Sequence, residues 1–209
     1  MIKLVCFDLN ETLIEENTWK NLNLALGVSP EEDESILKDY EEGRTTYEEG
    51  QERLEKIYLK HGLATKNKIL ETVNQYKYRQ GAKEIIRYLK KKGYHIALLS
   101  GSIDLLVEKV ARELDVDLFG SNNSFVFDKD NKLIEIKTEG RDSTIKVKQL
   151  KEFIDKLKIF SREVVCVGDG LSDQELFDLT KHGVTFKGSR IKDKAWKTID
   201  KLEDLCSLL

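Results

Sequence analysis

The sequence predicts an α/β fold: a parallel, Rossmann-like sheet with helices on both faces, carrying an inserted helical cap. Short apolar runs alternate with amphipathic stretches along most of the chain, the pattern of strands joined by covering helices. One interval, residues 15–78, breaks that alternation and holds helical stripes only. Three of the strand candidates end in acidic, hydroxyl or glycine residues, at the edge where sheets of this kind take their ligands.

Ile2 to Asp8 is an apolar run without helical period and reads as a buried strand. From Glu15 to Tyr78 the stripes Trp19-Leu22-Leu26, Ile36-Leu37-Tyr40 and Leu54-Ile57-Tyr58 mark charged helices. Ser29-Pro30 ahead of acidic residues is a helix start. The expected division is therefore a core of residues 1–14 and 79–209 and a cap of residues 15–78. After Gly81, the stripe Ala82-Ile85-Ile86-Leu89 stops at Gly93, ahead of a strand over Tyr94–Leu99 and a helix over Leu105–Leu114. Phe125–Phe127 and Leu133–Ile136 flank Asp128-Lys129-Asp130-Asn131, a hairpin with a polar turn. Helix Ile145–Leu157, strand Val164–Val167, helix Gln174–Leu179 and strand Val184–Phe186 complete the alternation.

Composition narrows the partners. With 40% hydrophobic and 35% charged residues the chain has enough apolar content for a core and a highly charged surface. The net charge is -3 and Lys and Glu interleave, so no basic face for nucleic acid is expected. The longest apolar runs, such as Ile96–Leu99, are far shorter than the roughly 20 residues that cross a bilayer. Met1–Asp8 lacks the order of a secretion signal, which leaves a cytoplasmic address and no membrane partner as expectations. Cys6 and Cys166 lie in apolar runs without metal spacing and read as buried free thiols. His61, His95 and His182 stand apart from the strand-end motifs and read as surface or packing residues.

The three strand ends are Asp8-Leu9-Asn10-Glu11-Thr12, Ser100-Gly101-Ser102 and Gly168-Asp169-Gly170-Leu171-Ser172-Asp173. Each alone is also an ordinary turn or helix cap. Together, in this layout, the chain resembles the haloacid dehalogenase superfamily, and within it the phosphoserine phosphatase-like branch. The resemblance implies a nucleophilic Asp8 and a phosphate-binding Ser100 with Gly101. It implies a phosphate lysine at Lys146, with Lys148 as the alternative. It also implies a Mg²⁺ site built from Asp8, Asp169, Asp173 and the backbone oxygen of Asn10. The expected activity is a phosphomonoesterase acting on a small, phosphoserine-like metabolite.

Physical chemistry agrees with these residue types. A carboxylate attacking phosphorus forms an acyl phosphate that water then cleaves, splitting one hard step into two. Attack by one anion on another needs neutralising charge, which a carboxylate-held Mg²⁺ and a lysine supply. Backbone N–H groups opening a helix after Ser100 would cradle the phosphoryl oxygens.

The sequence departs from the pattern in two places. The family's acid-base aspartate, two residues after the nucleophile, is here Asn10. Three readings stand open: a substitution made to slow turnover, a natural enzyme with a compensating group such as Glu11 or a cap residue, or a chain that binds phosphate without turning it over. A phosphotransferase or mutase of the same fold is a further alternative. In the branch's cap, the glutamate that takes a substrate amine aligns with Asn17, beside Glu15 and Glu16. The arginine that takes a carboxylate aligns with Glu52, beside Arg53.

Overall fold

The computed structural model describes residues 1–209. Its strands are β1 (Leu4–Phe7), β2 (His95–Ile103), β3 (Leu118–Phe127), β4 (Leu133–Thr138), β5 (Val164–Val167), β6 (Gly183–Phe186) and β7 (Lys197–Ile199). They form one sheet in the order β4-β3-β2-β1-β5-β6-β7, and only β4 runs antiparallel, as the second arm of the expected hairpin. β1 lies at the centre, and all four of its residues are buried. Burial on both faces is why it reads as an unbroken apolar run rather than an alternation.

Between β1 and the rest of the sheet come α1 (Thr18–Ala25), α2 (Pro30–Glu41), α3 (Tyr47–His61) and α4 (Lys66–Val73). Ser29 and Thr46 each close a reciprocal capping box at the start of α2 and α3, satisfying backbone donors that a helix start leaves free. An antiparallel bridge between Ile14 and Tyr78 joins the two ends of this excursion. The return leg carries α5 (Ala82–Lys91), α6 (Asp104–Glu113), α7 (Asp142–Leu157), α8 (Gln174–Thr180) and α9 (Leu205–Leu208). No helix is long and apolar enough to cross a membrane.

Side chains of β1 alternate between two cores. Val5 and Phe7 join a cluster of 35 buried residues that also takes Leu22, Tyr58 and Ile69 from the inserted helices. Leu4 and Cys6 face a cluster of 13 with Leu150 of α7 and Phe177 of α8. On that second face Gly183 lets β6 approach α8, since a Cβ there would lie 2.1 Å from the Phe177 ring.

The structure revises several readings. Leu37, placed on an apolar stripe, is 56% exposed. β2 does not end before Ser100 but continues to Ile103 with an irregular register. α6 therefore opens at Asp104, and the amides just after Ser100 belong to an extended segment, not to a helix N-terminus. β3 begins at Leu118, well ahead of the hairpin arm, and β7 adds an edge strand that the sequence did not announce.

Candidate active site

The carboxyl ends of β1, β2 and β5 open into a cleft of about 1390 Å³ between the sheet and the inserted helices. Asp8, Ser100, Gly101, Lys146 and Asp169 all line it. Lys146, in the early turns of α7, is only 2% exposed. Its Nζ donates to Asp8 Oδ1 at 2.8 Å, Asp173 Oδ1 at 2.9 Å and Ser172 Oγ at 3.1 Å. Burial works to strip this ammonium of its proton, but the charges of Asp173, Asp8 and Asp142 outweigh it and hold the group well above the ordinary lysine range. Lys148 lies exposed, 3.4 Å from Glu139, away from the cleft.

Carboxylate oxygens of Asp8, Asp169 and Asp173 come within 4.8 Å of one another. Burial pushes the Asp169 carboxyl up to about 6, with the charges of Asp173 and Glu11 adding to it. Asp8 is likewise raised by burial, against the pull of Lys146 and with Asp173 and Asp169 adding. The cluster thus holds more negative charge than one ammonium offsets, and its donors are the hard oxygens that Mg²⁺ takes. These residues fit a divalent cation.

Ser100 is buried, and its Oγ accepts from the Ser102 N–H at 3.1 Å. The Gly101 carbonyl accepts from Trp19 Nε1 at 3.1 Å and from Asn123 Nδ2 at 2.8 Å. Gly101 has no room for a side chain, because a Cβ would sit 2.5 Å from the Asp142 carboxylate. Asp142 is itself raised, chiefly by burial.

Asn10 lines the cleft as well. Its Oδ1 accepts from the Thr18 N–H at 3.2 Å and from Thr18 Oγ1 at 2.8 Å. A backbone N–H can only donate, so the amide oxygen must face Thr18 and the NH₂ group is the free end. Thr18 Oγ1 lies 3.2 Å from Ser102 Oγ, which ties α1 to the segment after Ser100. Next to Asn10, Glu11 adopts a left-handed φ of 56°. Arg79 secures that turn by donating to the carbonyls of Thr12 and Glu11, with its guanidinium 4.5 Å above the Phe186 ring.

Of the cap positions discussed above, Asn17 lines the cleft while capping α1, whereas Glu15, Glu16, Glu52 and Arg53 do not line it. Arg53 is held 2.7 Å from Asp39, and Glu16 accepts from the Lys77 N–H. A one-residue shift therefore brings neither charge into the cleft. Sequence reasoning also missed Thr18, Trp19, Arg79, Asn123 and Asp142, which come from segments with no motif of their own.

Residues 2–175 match the family of haloacid dehalogenase-like hydrolases. The chain is 30% identical over 209 residues to a phosphoserine phosphatase of Methanocaldococcus jannaschii, covering 99% of this chain and 96% of that one. It is 29% identical over 210 residues to a phosphoserine phosphatase of Archaeoglobus fulgidus, of whose length it spans 58%. A substrate-bound phosphoserine phosphatase complex superposes with a TM-score of 0.84 at 26% identity, covering 100% of this chain and 99% of that one. A phospho-aspartyl intermediate analogue of phosphoserine phosphatase gives 0.83 at 27% identity, with the same coverage.

Proposed function

The chain belongs to the haloacid dehalogenase-like hydrolases, and from that premise we propose that it is a magnesium-dependent phosphomonoesterase of small phosphorylated metabolites. The substrate lies between a core of residues 1–14 and 79–209 and a helical cap of residues 15–78, the excursion closed by the Ile14–Tyr78 bridge. The observation that carries the reading is the buried Lys146 bridging Asp8 and Asp173 at the floor of the cleft.

Asp8 attacks phosphorus, giving an aspartyl phosphate that water then cleaves. Lys146 holds the nucleophile and offers positive charge to the phosphoryl oxygens, while Ser100 and Gly101 position them. Mg²⁺ held by Asp8, Asp169, Asp173 and the Asn10 backbone would neutralise the charge that accumulates between nucleophile and phosphate. Asn10 supports a second reading, in which the phosphoryl group passes to an acceptor other than water or is bound without turnover.

Phosphate release from a broad panel of phosphomonoesters, with Mg²⁺ and with EDTA, tests the reading. Metal-dependent release that disappears in Asp8→Asn is the expected result, and turnover that survives Asp8→Asn overturns it. Phosphorylated product from added alcohols marks the transferase.

A further inference from the structure

In a displacement at phosphorus the leaving oxygen departs opposite the attacking one. Asp8 and Lys146 both line the cleft between sheet and inserted helices, so a leaving group at a phosphorus attacked by Asp8 lies within that cleft. Asn10, two residues after Asp8, lines that cleft, its oxygen anchored at the first residue of α1 and its NH₂ group free. An amide N–H donates a hydrogen bond but does not hand over its proton, whereas a carboxylic acid does both.

The other carboxyl groups of the cleft are held or placed elsewhere: on α2, Asp33 accepts from Asn23, Glu41 accepts from Arg190 and Glu34 is exposed. The space beside Thr18 is filled by the Asn10 amide oxygen. Asp169 belongs to the carboxylate cluster and Asp142 is packed against Gly101 and Lys146. Glu11 is exposed, with its carboxylate accepting from Asn17. Among its many polar residues the cleft also offers apolar and aromatic surface to a leaving group: Trp19, Tyr40 and Tyr47 line it, together with Leu24 and Leu37, which are 45% and 56% exposed.

Resting on the phosphatase reading above, we propose that this site selects phosphate esters of acidic hydroxyls, aryl or enol, whose oxygen leaves as a stable anion. The bond from Asp8 Oδ to phosphorus forms as the bond from phosphorus to the leaving oxygen breaks. The electron pair stays on that oxygen, delocalised into the ring or double bond, and no proton is needed. An alkoxide leaving from an alkyl ester has no such delocalisation and needs the proton that Asn10 cannot give. In the second step water attacks phosphorus, Asp8 is regenerated as a carboxylate, and the water proton passes to solvent.

The test is kcat/KM with Mg²⁺ for substituted phenyl phosphates whose phenols span several pKa units, alongside phosphoserine as the alkyl ester. The proposal expects rates that fall steeply as the phenol becomes less acidic. Phosphoserine should then trail the most acidic aryl ester by about 10²- to 10⁴-fold, the usual contribution of a general acid. Asn10→Asp should flatten the series and raise the alkyl rate by a similar factor. A flat series in the unmodified chain overturns the proposal without touching the phosphatase reading, because another group then delivers the proton. Failure of every ester, aryl included, overturns both. The unmodified chain alone decides if Asn10→Asp does not fold.

Discussion

The ammonium of Lys146 has been withdrawn from water, and withdrawal of that kind costs several kcal/mol unless partners replace the lost solvation. Asp8, Asp173 and Ser172 do so at 2.8, 2.9 and 3.1 Å. Asp173 is buried and Asp8 only 10% exposed, so neither carboxylate has much solvent to fall back on. Lys146→Met should therefore leave two enclosed carboxylates without a counter-charge and cost about 3–5 kcal/mol of stability in metal-free buffer. Denaturant midpoints with EDTA and with Mg²⁺ check this, and an unchanged midpoint with EDTA would contradict the pairing. At this scale the sequence showed the charged groups and hid what orients them. Asp8, Lys146, Asp169 and Asp173 could be read because chemistry gathers at strand ends. Thr18, Asn123 and Arg79 act through hydrogen bonds to residues far away along the chain, and such a meeting leaves no local mark.

Among the elements, α2 and α3 are tied by Asp39, whose carboxylate accepts from Arg53 Nη1 at 2.7 Å and from Arg44 Nε at 2.8 Å. These bonds hold the Asp39 carboxyl below its ordinary range. A group with a depressed folded-state pKa stabilises above its unfolded value and ceases to do so as pH falls through the folded one. For Asp39 that window opens near pH 4 and extends downwards. Asp39→Asn should lower the urea midpoint at neutral pH and shrink the loss of stability on acidification, measured between neutrality and the acid limb. Equal acid sensitivity in the two proteins would remove Asp39 from the account. The elements differ sharply in how far their sequences announce them. β1 and β5 are plain because every residue is apolar. The first half of β3, through Gly120-Ser121-Asn122-Asn123, carries turn-forming residues, and only pairing with β2 and burial of both asparagines make it a strand. β7 is three residues at an edge, two of them exposed, too short for any period to show.

Across the whole molecule, the inserted helices share their apolar cluster with the sheet rather than owning one. Helices and sheet should therefore unfold together. The cysteines give a probe of the intact fold: Cys6 and Cys166 are register partners on β1 and β5 and buried, while Cys206 is exposed. The Cys6 thiol is raised well above its usual value by its bond to Cys166 and by burial, and so is a poor nucleophile. A thiol reagent should label one cysteine in the native protein and three in denaturant, read by mass spectrometry; rapid native labelling of two or more would place the sheet centre within reach of solvent.

One contact spans the cleft mouth. Arg190, in the segment after β6, lies 3.2 Å from Glu41 at the end of α2, and both side chains reach solvent. An exposed pair of this kind contributes at most about 1 kcal/mol and is screened within roughly 10 Å at ordinary salt. The strap across the entrance is thus comparable to thermal energy, and rising salt should loosen it.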